Sequence, residues 1–376
     1  MKKTCCEKNP RLGKVGGEAV LEGVMMRCGD RYSIASRHED GSISVENRSY
    51  VSLRKRNKLW NLPLVRGVVS LVESLKLSFK VLSISAEAIG VDMDEPETKF
   101  EKWLLKKFGQ NIMNVIMGIA SVLGVLLGVA LFLVLPTLAT QGLDFLLGLV
   151  GGSLGIFKTL CEGIIRIGIF VGYILLVSLM PDIRRTFEYH GAEHKSIACY
   201  ESGMPLTPEN AKNCTRFHPR CGTSFIFIML ILSVIVFSFV TWENIWLRLV
   251  LKPLLLPLIC GLGFEFILYA GKHDNLLTKI LSAPGLWMQR ITTREPDLDE
   301  LEIAITALKS AMPDEFPQSE VDEIIEKSKP EPAETAASEE PTAADAPAEG
   351  ETAAESEASP DADESASAES GADTEK

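Results

Sequence analysis

Four stretches of this chain are nearly free of charge and close in length to a bilayer crossing: about 111–135, 160–180, 223–242 and 253–271. No charge occurs between Lys107 and Asp144, and the third stretch is uncharged throughout. The second carries Glu162 and Arg166 near one end, and the fourth carries Glu265 alone. About 20 apolar residues in a helix cross the ~30 Å of hydrocarbon in a bilayer. A buried helix of a soluble domain can be this apolar once, but four in one chain argue for lipid. The pattern predicts an α-helical integral membrane protein with four transmembrane helices, its membrane domain covering 111–271. Residues 142–157 are also apolar, but short and broken by five glycines. They read as a re-entrant or interfacial segment.

The first 110 residues follow another rhythm. Tyr32-Ser-Ile-Ala-Ser and Ser42-Ile-Ser-Val-Glu alternate around Asp40-Gly41, which predicts a hairpin with a tight turn. Residues 64–89 predict a long apolar helix, yet Arg66, Glu73, Lys76, Lys80 and Glu87 are too many charges for a span. The helix is amphipathic. It either lies in the inner membrane interface or packs on the small β unit. Residues 1–110 thus form a small α+β unit. Beyond the fourth span, 272–312 form a juxtamembrane region with a helix from Asp297 to Met312.

Charge settles the expected orientation. Lys99, Lys102, Lys106 and Lys107 precede the first span. Arg184, Arg185, Lys195, Lys212, Arg216 and Arg220 lie in the 181–222 loop, and Lys272, Lys279, Arg290 and Arg294 follow the fourth span. The other connections hold only Lys158, Arg248 and Lys252. The positive-inside rule therefore places both termini and the 181–222 loop in the cytoplasm. Residues 313–376 hold 21 acidic residues and 3 lysines, a net −18 against −12 for the whole chain, so the remainder is a mildly basic +6. This tail has almost no large apolar side chains after Ile325 and reads as disordered. The eight cysteines show no CxxC spacing and read as reduced thiols. No basic stripe with interleaved aromatics points to nucleic acid.

The candidate chemistry sits in the 181–222 loop. His190 and His194 are four residues apart, so on a helix both imidazoles share one face and can chelate one metal ion. With Glu193 they follow the H-x-x-E-H order, in which the two His bind a divalent metal, zinc foremost, and the Glu is the general base. His218 and Cys221 follow in His218-Pro-Arg-Cys-Gly-Thr-Ser and can complete the ligand set. Thr207-Pro208 reads as the N-cap and first residue of a short helix that folds the loop back. Glu265, a carboxylate within a span, can ligate a metal, relay protons or pair with an arginine, and Arg66 is a further functional candidate. Glu162 and Arg166 read as a structural i,i+4 ion pair. In Gly16-Gly-Glu-Ala-Val-Leu-Glu-Gly-Val-Met-Met-Arg, the glycines permit a close backbone approach, while Glu22 and Arg27 fix the unit to the membrane domain.

On Gly16–Arg27, Leu64-Val65-Arg66-Gly67, Glu188-Tyr-His-Gly-Ala-Glu-His-Lys195 and His218–Ser224, the sequence resembles the YqhQ-like bacterial membrane proteins over roughly residues 12–310. That family has no defined function and often carries the label of a metal-dependent enzyme. The resemblance implies a multi-pass protein of the bacterial cytoplasmic membrane. The leading reading is a metal-dependent hydrolase acting on a membrane-proximal substrate, with Glu193 as base and His190, His194 and His218 or Cys221 as ligands. The alternatives are a non-enzymatic accessory factor in membrane-protein insertion, transport or envelope assembly, and a small-solute transporter. Expected partners are the lipid bilayer and a membrane protein or a second copy of the chain.

Overall fold

The structure, a computed structural model, describes residues 10–38, 40–88, 112–218, 220–240, 242–270 and 275–329. The lysine group at 99–107 and the acidic tail from residue 330 lie outside the described residues. The N-terminal unit is an antiparallel meander of β1 (Val15–Val20), β2 (Gly23–Cys28), β3 (Arg31–Arg37) and β4 (Ile43–Ser49), paired in that order. The expected hairpin around Asp40-Gly41 is present. Gly41 takes φ +85°, and Asp40 Oδ1 accepts from Ser42 N at 2.9 Å. The glycine motif, however, forms a hairpin of its own, β1–β2, with Val20 paired to Gly23. Two short helical turns, α1 (Leu53–Arg56) and a 3-10 turn (Lys58–Asn61), lead into α2 (Val65–Ala88).

Alternation along the strands directs two cores. Met25, Tyr32 and Ile34 pack with Leu77 and Val81 of α2 on one face. Val24, Met26 and Ala35 pack on the other face with Tyr189, Ala192, Leu301 and Leu308. The helix 64–89 thus packs on the sheet by one side and leaves Val72, Leu75, Phe79 and Leu82 exposed on the other.

The apolar region begins with α3 (Ile112–Val129), a π-helical turn (Ala130–Val134) and α4 (Leu135–Leu149). Their apolar stretch Gly118–Leu149 is continuous over 32 residues, so residues 142–149, read above as part of a separate segment, continue the first helix. The π turn has a local cause. Pro136 lacks an N–H, which leaves the Phe132 carbonyl without its helical donor, and Arg166 Nε supplies one at 2.9 Å. Next come α5 (Lys158–Val177), α6 (Pro181–Glu201), α7 (Pro208–Lys212), α8 (Gly222–Ser238) and α9 (Ile245–Ala270). Three helices, Gly118–Leu149, Lys158–Val177 and Ile245–Ala270, are long and apolar enough to cross a membrane; α8 is apolar but only 17 residues long. Their outward faces carry exposed side chains such as Val122, Leu126, Ile164 and Leu254.

Glu162 and Arg166 do pair, at 2.5 Å, but within a larger group. Arg248 and Lys252, assigned above to a connection, lie inside α9 and are fully buried. Arg248 Nη2 reaches Glu162 Oε2 at 2.8 Å, and Lys252 bonds Glu162 and Thr137. Arg248 also stacks over Trp242 at 3.8 Å. One carboxylate therefore holds three cations from two helices.

The described residues end with α10 (Leu276–Thr292), α11 (Leu298–Ala311) and α12 (Gln318–Ser328). Helix α11 is the hub of the sheet-and-helix body: it packs on β2, β3, β4, α6 and α7, and Leu301, Ile303, Ala304, Ala307 and Leu308 are all buried. Helix α12 belongs to the folded unit, although it falls in the stretch 313–376 expected to be disordered. Val321 is buried and Ile324 packs against the α11 core, enough apolar surface to order this first part of the tail.

Two predictions follow from these contacts. The Asp297 N-cap of α11 forms a capping box with Glu300, whose Oε2 accepts from Asp297 N at 3.1 Å while Oε1 has no hydrogen-bond partner among the described residues. Burial, then the Asp297 and Glu188 charges, push the Glu300 carboxyl up to about 7 from 4.5. Between those values the folded chain binds more protons than the unfolded one, so stability should fall as pH rises from ~5 to ~8. Glu300→Gln should flatten that dependence and melt higher than wild type at pH 8, measured by thermal unfolding in detergent. Glu162→Gln should cost about 3–5 kcal/mol in the same assay, because it leaves three buried cations without their counter-charge.

Candidate metal centre

Helix α6 starts at Pro181, with Asp182 in its first turn, and runs unbroken to Glu201. The i,i+4 spacing does what was expected of it: the His190 and His194 rings lie on one face, with centroids 4.5 Å apart. Cys221, the residue that caps the start of α8, brings its Sγ to 3.3 Å from His190 Nε2. One ligand atom from each of His190, His194 and Cys221 lies within 4.8 Å of the others, so the cluster can hold a metal ion.

The other ring nitrogens fix the tautomers. His190 Nδ1 is 2.8 Å from Thr292 O, and His194 Nδ1 is 2.6 Å from Arg216 O. A carbonyl only accepts, so both Nδ1 atoms carry the proton and both Nε2 lone pairs are available to a metal. Backbone carbonyls behind ligating histidines orient the rings in just this way.

His218 stands beside this triad but outside it. Its ring is 5.5 Å from that of His194, and its Nε2 accepts from Arg220 at 3.2 Å. Burial, then His194, Arg220 and His190, push its pKa down to about 3, so the ring is neutral. Glu201 is bound to Arg220 and to Gly13 N at 2.8 Å, and Glu188 pairs with Arg184. Glu193 is buried between α6 and β1. Burial pushes its carboxyl up to about 7, while His190 and the Gly17 N–H pull it down. The strand needs glycine here: a Cβ on Gly17 would stand 2.8 Å from Glu193 Cγ and 2.7 Å from Met25 O.

Several supports escaped sequence reading. Gln289 of α10, fully buried, accepts from His218 N at 2.8 Å and donates to His218 O at 2.7 Å and Ser224 Oγ at 3.0 Å. It clamps both sides of the loop that delivers Cys221. Lys195 donates to Lys212 O and Cys214 O, and pairs with Glu295. Thr207 caps α7 as expected, its side chain accepting from Asn210 N. An amphipathic helix with one glutamine carries no sequence signal for such a clamp.

The remaining candidates lie apart from the triad. Glu265 accepts from Arg66 Nε at 2.6 Å and from its Nη2, and so pins α2 to α9. Glu22 accepts from Arg185 at 2.5 Å and ties the β1–β2 turn to α6. Arg27 does not reach the membrane helices; its Nε donates to Gly29 O at 3.0 Å and its guanidinium lies over Tyr50.

A cavity of about 620 Å³ adjoins the triad through His218. Its wall is largely apolar, with Ile228, Ile267 and Leu286, and carries Arg220 and Lys279.

Gly191, between the two histidines, lies against the backbone of the segment that receives His190. A Cβ there would collide with Arg294 O. Gly191→Ala should destabilise the fold by about 1–3 kcal/mol, as overpacking does, while Gly172→Ala, with open space around it, should not. Thermal unfolding of the two variants decides this.

Comparison with known proteins agrees with the motifs. A family described as "Protein of unknown function (DUF1385)" matches residues 62–314, which contain the triad and Glu265 but not the β1–β2 glycine motif. The "Uncharacterized protein YqhQ" of Bacillus subtilis (strain 168) is 34% identical over 298 residues, 79% of this chain and 92% of the relative. No solved structure matches. The family match and the length of the alignment together show that this chain belongs to the YqhQ-like DUF1385 family.

Proposed function

We propose that this protein is a metal-dependent hydrolase of the bacterial cytoplasmic membrane, with its metal centre at the cytoplasmic face. The observation that carries the reading is the meeting of His190, His194 and Cys221 with both histidine tautomers set for ligation. Two imidazoles and a thiolate are a zinc-type donor set, and three protein ligands leave a position for water or substrate. A divalent ion there would polarise an ester, amide or phosphoryl oxygen and acidify a bound water. Glu193 can hold or release a proton near neutral pH, which suits a general base, and it lies in the helix between the two ligands. The apolar cavity beside His218 fits a substrate drawn from the membrane surface.

Four crossings, with α8 as the third in chain order, and both termini inside are the topology that the lysines and arginines favour. An accessory role in insertion, transport or envelope assembly is the second reading. It draws on the exposed apolar side of α2, which offers a face to lipid or to another membrane protein.

Elemental analysis of purified protein is the test. Wild type should carry about one equivalent of zinc-like metal. His190→Ala, His194→Ala and Cys221→Ala should lose it, while Glu193→Gln should keep it and lose turnover. Wild type that is fully folded and metal-free after growth and dialysis in zinc would remove the hydrolase reading.

A further inference from the structure

A second cavity, of about 420 Å³, lies between the sheet and α2, and none of the triad residues lines it. Strand alternation builds its floor. Gly16 pairs with Arg27 and Glu18 with Met25, so these side chains share the sheet face turned toward α2, opposite the face on which Gly17 meets Glu193. Arg54 of α1 and Ser74 of α2 complete a wall that is more polar than that of the first cavity.

Arg31, Arg37, Arg48, Arg66 and Arg185 each pair with a carboxylate. Among the described residues, Arg27 and Arg54 form no ion pair, yet both line this one cavity. Arg27 uses its Nε on Gly29 O, and Arg54 uses its own on Ser52 Oγ at 3.4 Å. The nearby carboxylates are already committed. Glu73 accepts from Ser52 Oγ at 2.8 Å and from Leu53 N, and Glu18 accepts from Ser78 Oγ at 2.7 Å. Burial raises the Glu18 carboxyl above the usual carboxylate range, while the Ser78 hydrogen bond and His190 lower it. Lys14, at the rim, pairs with Glu315. Beside Gly16 there is open space, so a ligand can approach the β1 backbone.

We propose that this cavity binds a phosphoryl group, held by the guanidinium groups of Arg27 and Arg54. Two planar forks on one polar cavity match the spread oxygens of a phosphate better than a single carboxylate. The volume exceeds that of a bare phosphate and accommodates the group to which it is attached. The phosphoryl group is free in solution or carried by a lipid headgroup. None of the residues that line it is a ligand of the triad, so phosphate binding here and metal binding there are tested separately.

The experiment uses the full chain in phosphatidylcholine nanodiscs. Inorganic phosphate is titrated by calorimetry. In a parallel arm, discs doped with phosphatidic acid are examined for retained lipid by native mass spectrometry. Both arms include EDTA and are repeated on His190→Ala, so that phosphate held by a metal is not counted. Arg27→Gln or Arg54→Gln should weaken binding about tenfold or more, as expected for losing a charge-assisted contact. Arg31→Gln, which removes the same charge from an exposed pair with Asp314, should leave it unchanged. Arg27→Lys and Arg54→Lys, which keep the charge and lose the fork, should bind more weakly than wild type and serve if a Gln variant fails to fold. Binding in the first arm identifies a soluble phosphate; binding in the second alone identifies a lipid headgroup. Wild type that binds neither, or binding indifferent to both arginines, overturns the proposal.

Discussion

Helix α6 is a polar helix buried on nearly every side, and the extramembrane part is built around that fact. From Tyr189 to Tyr200 almost every residue is buried, including Glu193, His194 and Lys195. Water cannot solvate these groups, so the protein must supply their partners. It does so from three directions: β1 presents the Gly17 N–H to Glu193, the loop after α7 presents carbonyls to His194 and Lys195, and the last turn of α10 presents Thr292 O to His190. Each partner arrives only if its element packs closely. Glycine at 17 and 191 is the local expression of that demand, because a methyl group at either position would push a partner away.

The same rule operates in the apolar helices with other residues. A carboxylate and three cations cannot stand singly in hydrocarbon. Here they converge on one another, and Arg166 also fills the carbonyl that Pro136 leaves open. The cluster fastens α5 to α9 and to the first helix at the π turn. Outside it, the helices show apolar side chains to their surroundings, an arrangement that lipid stabilises and water does not.

What could be read from sequence follows from the range of the interactions. Periodicity and spacing are local, so the apolar helices, the Asp40-Gly41 hairpin, the Thr207 cap and the shared face of His190 and His194 were all legible. Cys221 was legible as a candidate because few histidines and cysteines gather in so short a loop. Partner choice over long sequence distance was not. Nothing in Arg248 and Lys252 announces that they turn inward to Glu162 rather than outward to water, since both residue types occur at helix ends and in loops alike. Gln289 has no spacing signature, and its role appears only once α10 lies beside the loop at 218–224. The helix at 318–328 was hidden by the average composition of the tail, which dilutes Val321 and Ile324 among acidic residues.

The triad also joins two kinds of structure. His190 and His194 stand on a helix clamped in the sheet-and-helix body, whereas Cys221 is the first turn of the apolar helix α8. The carbonyl that orients His190 comes from the last turn of α10, the helix packed along α8, and Gln289 of α10 holds the loop between them. Ligand spacing is therefore a function of where α8 and α10 sit against α6. A ligation geometry tolerates only small departures in distance, so a slide of α8 by a fraction of a helical turn would take the thiol out of reach. The site can be rigid only while Gln289 and the Arg294–Phe187 backbone contact hold. That makes the polar clamp, rather than the ligands themselves, the element that decides whether the three donor atoms stay together.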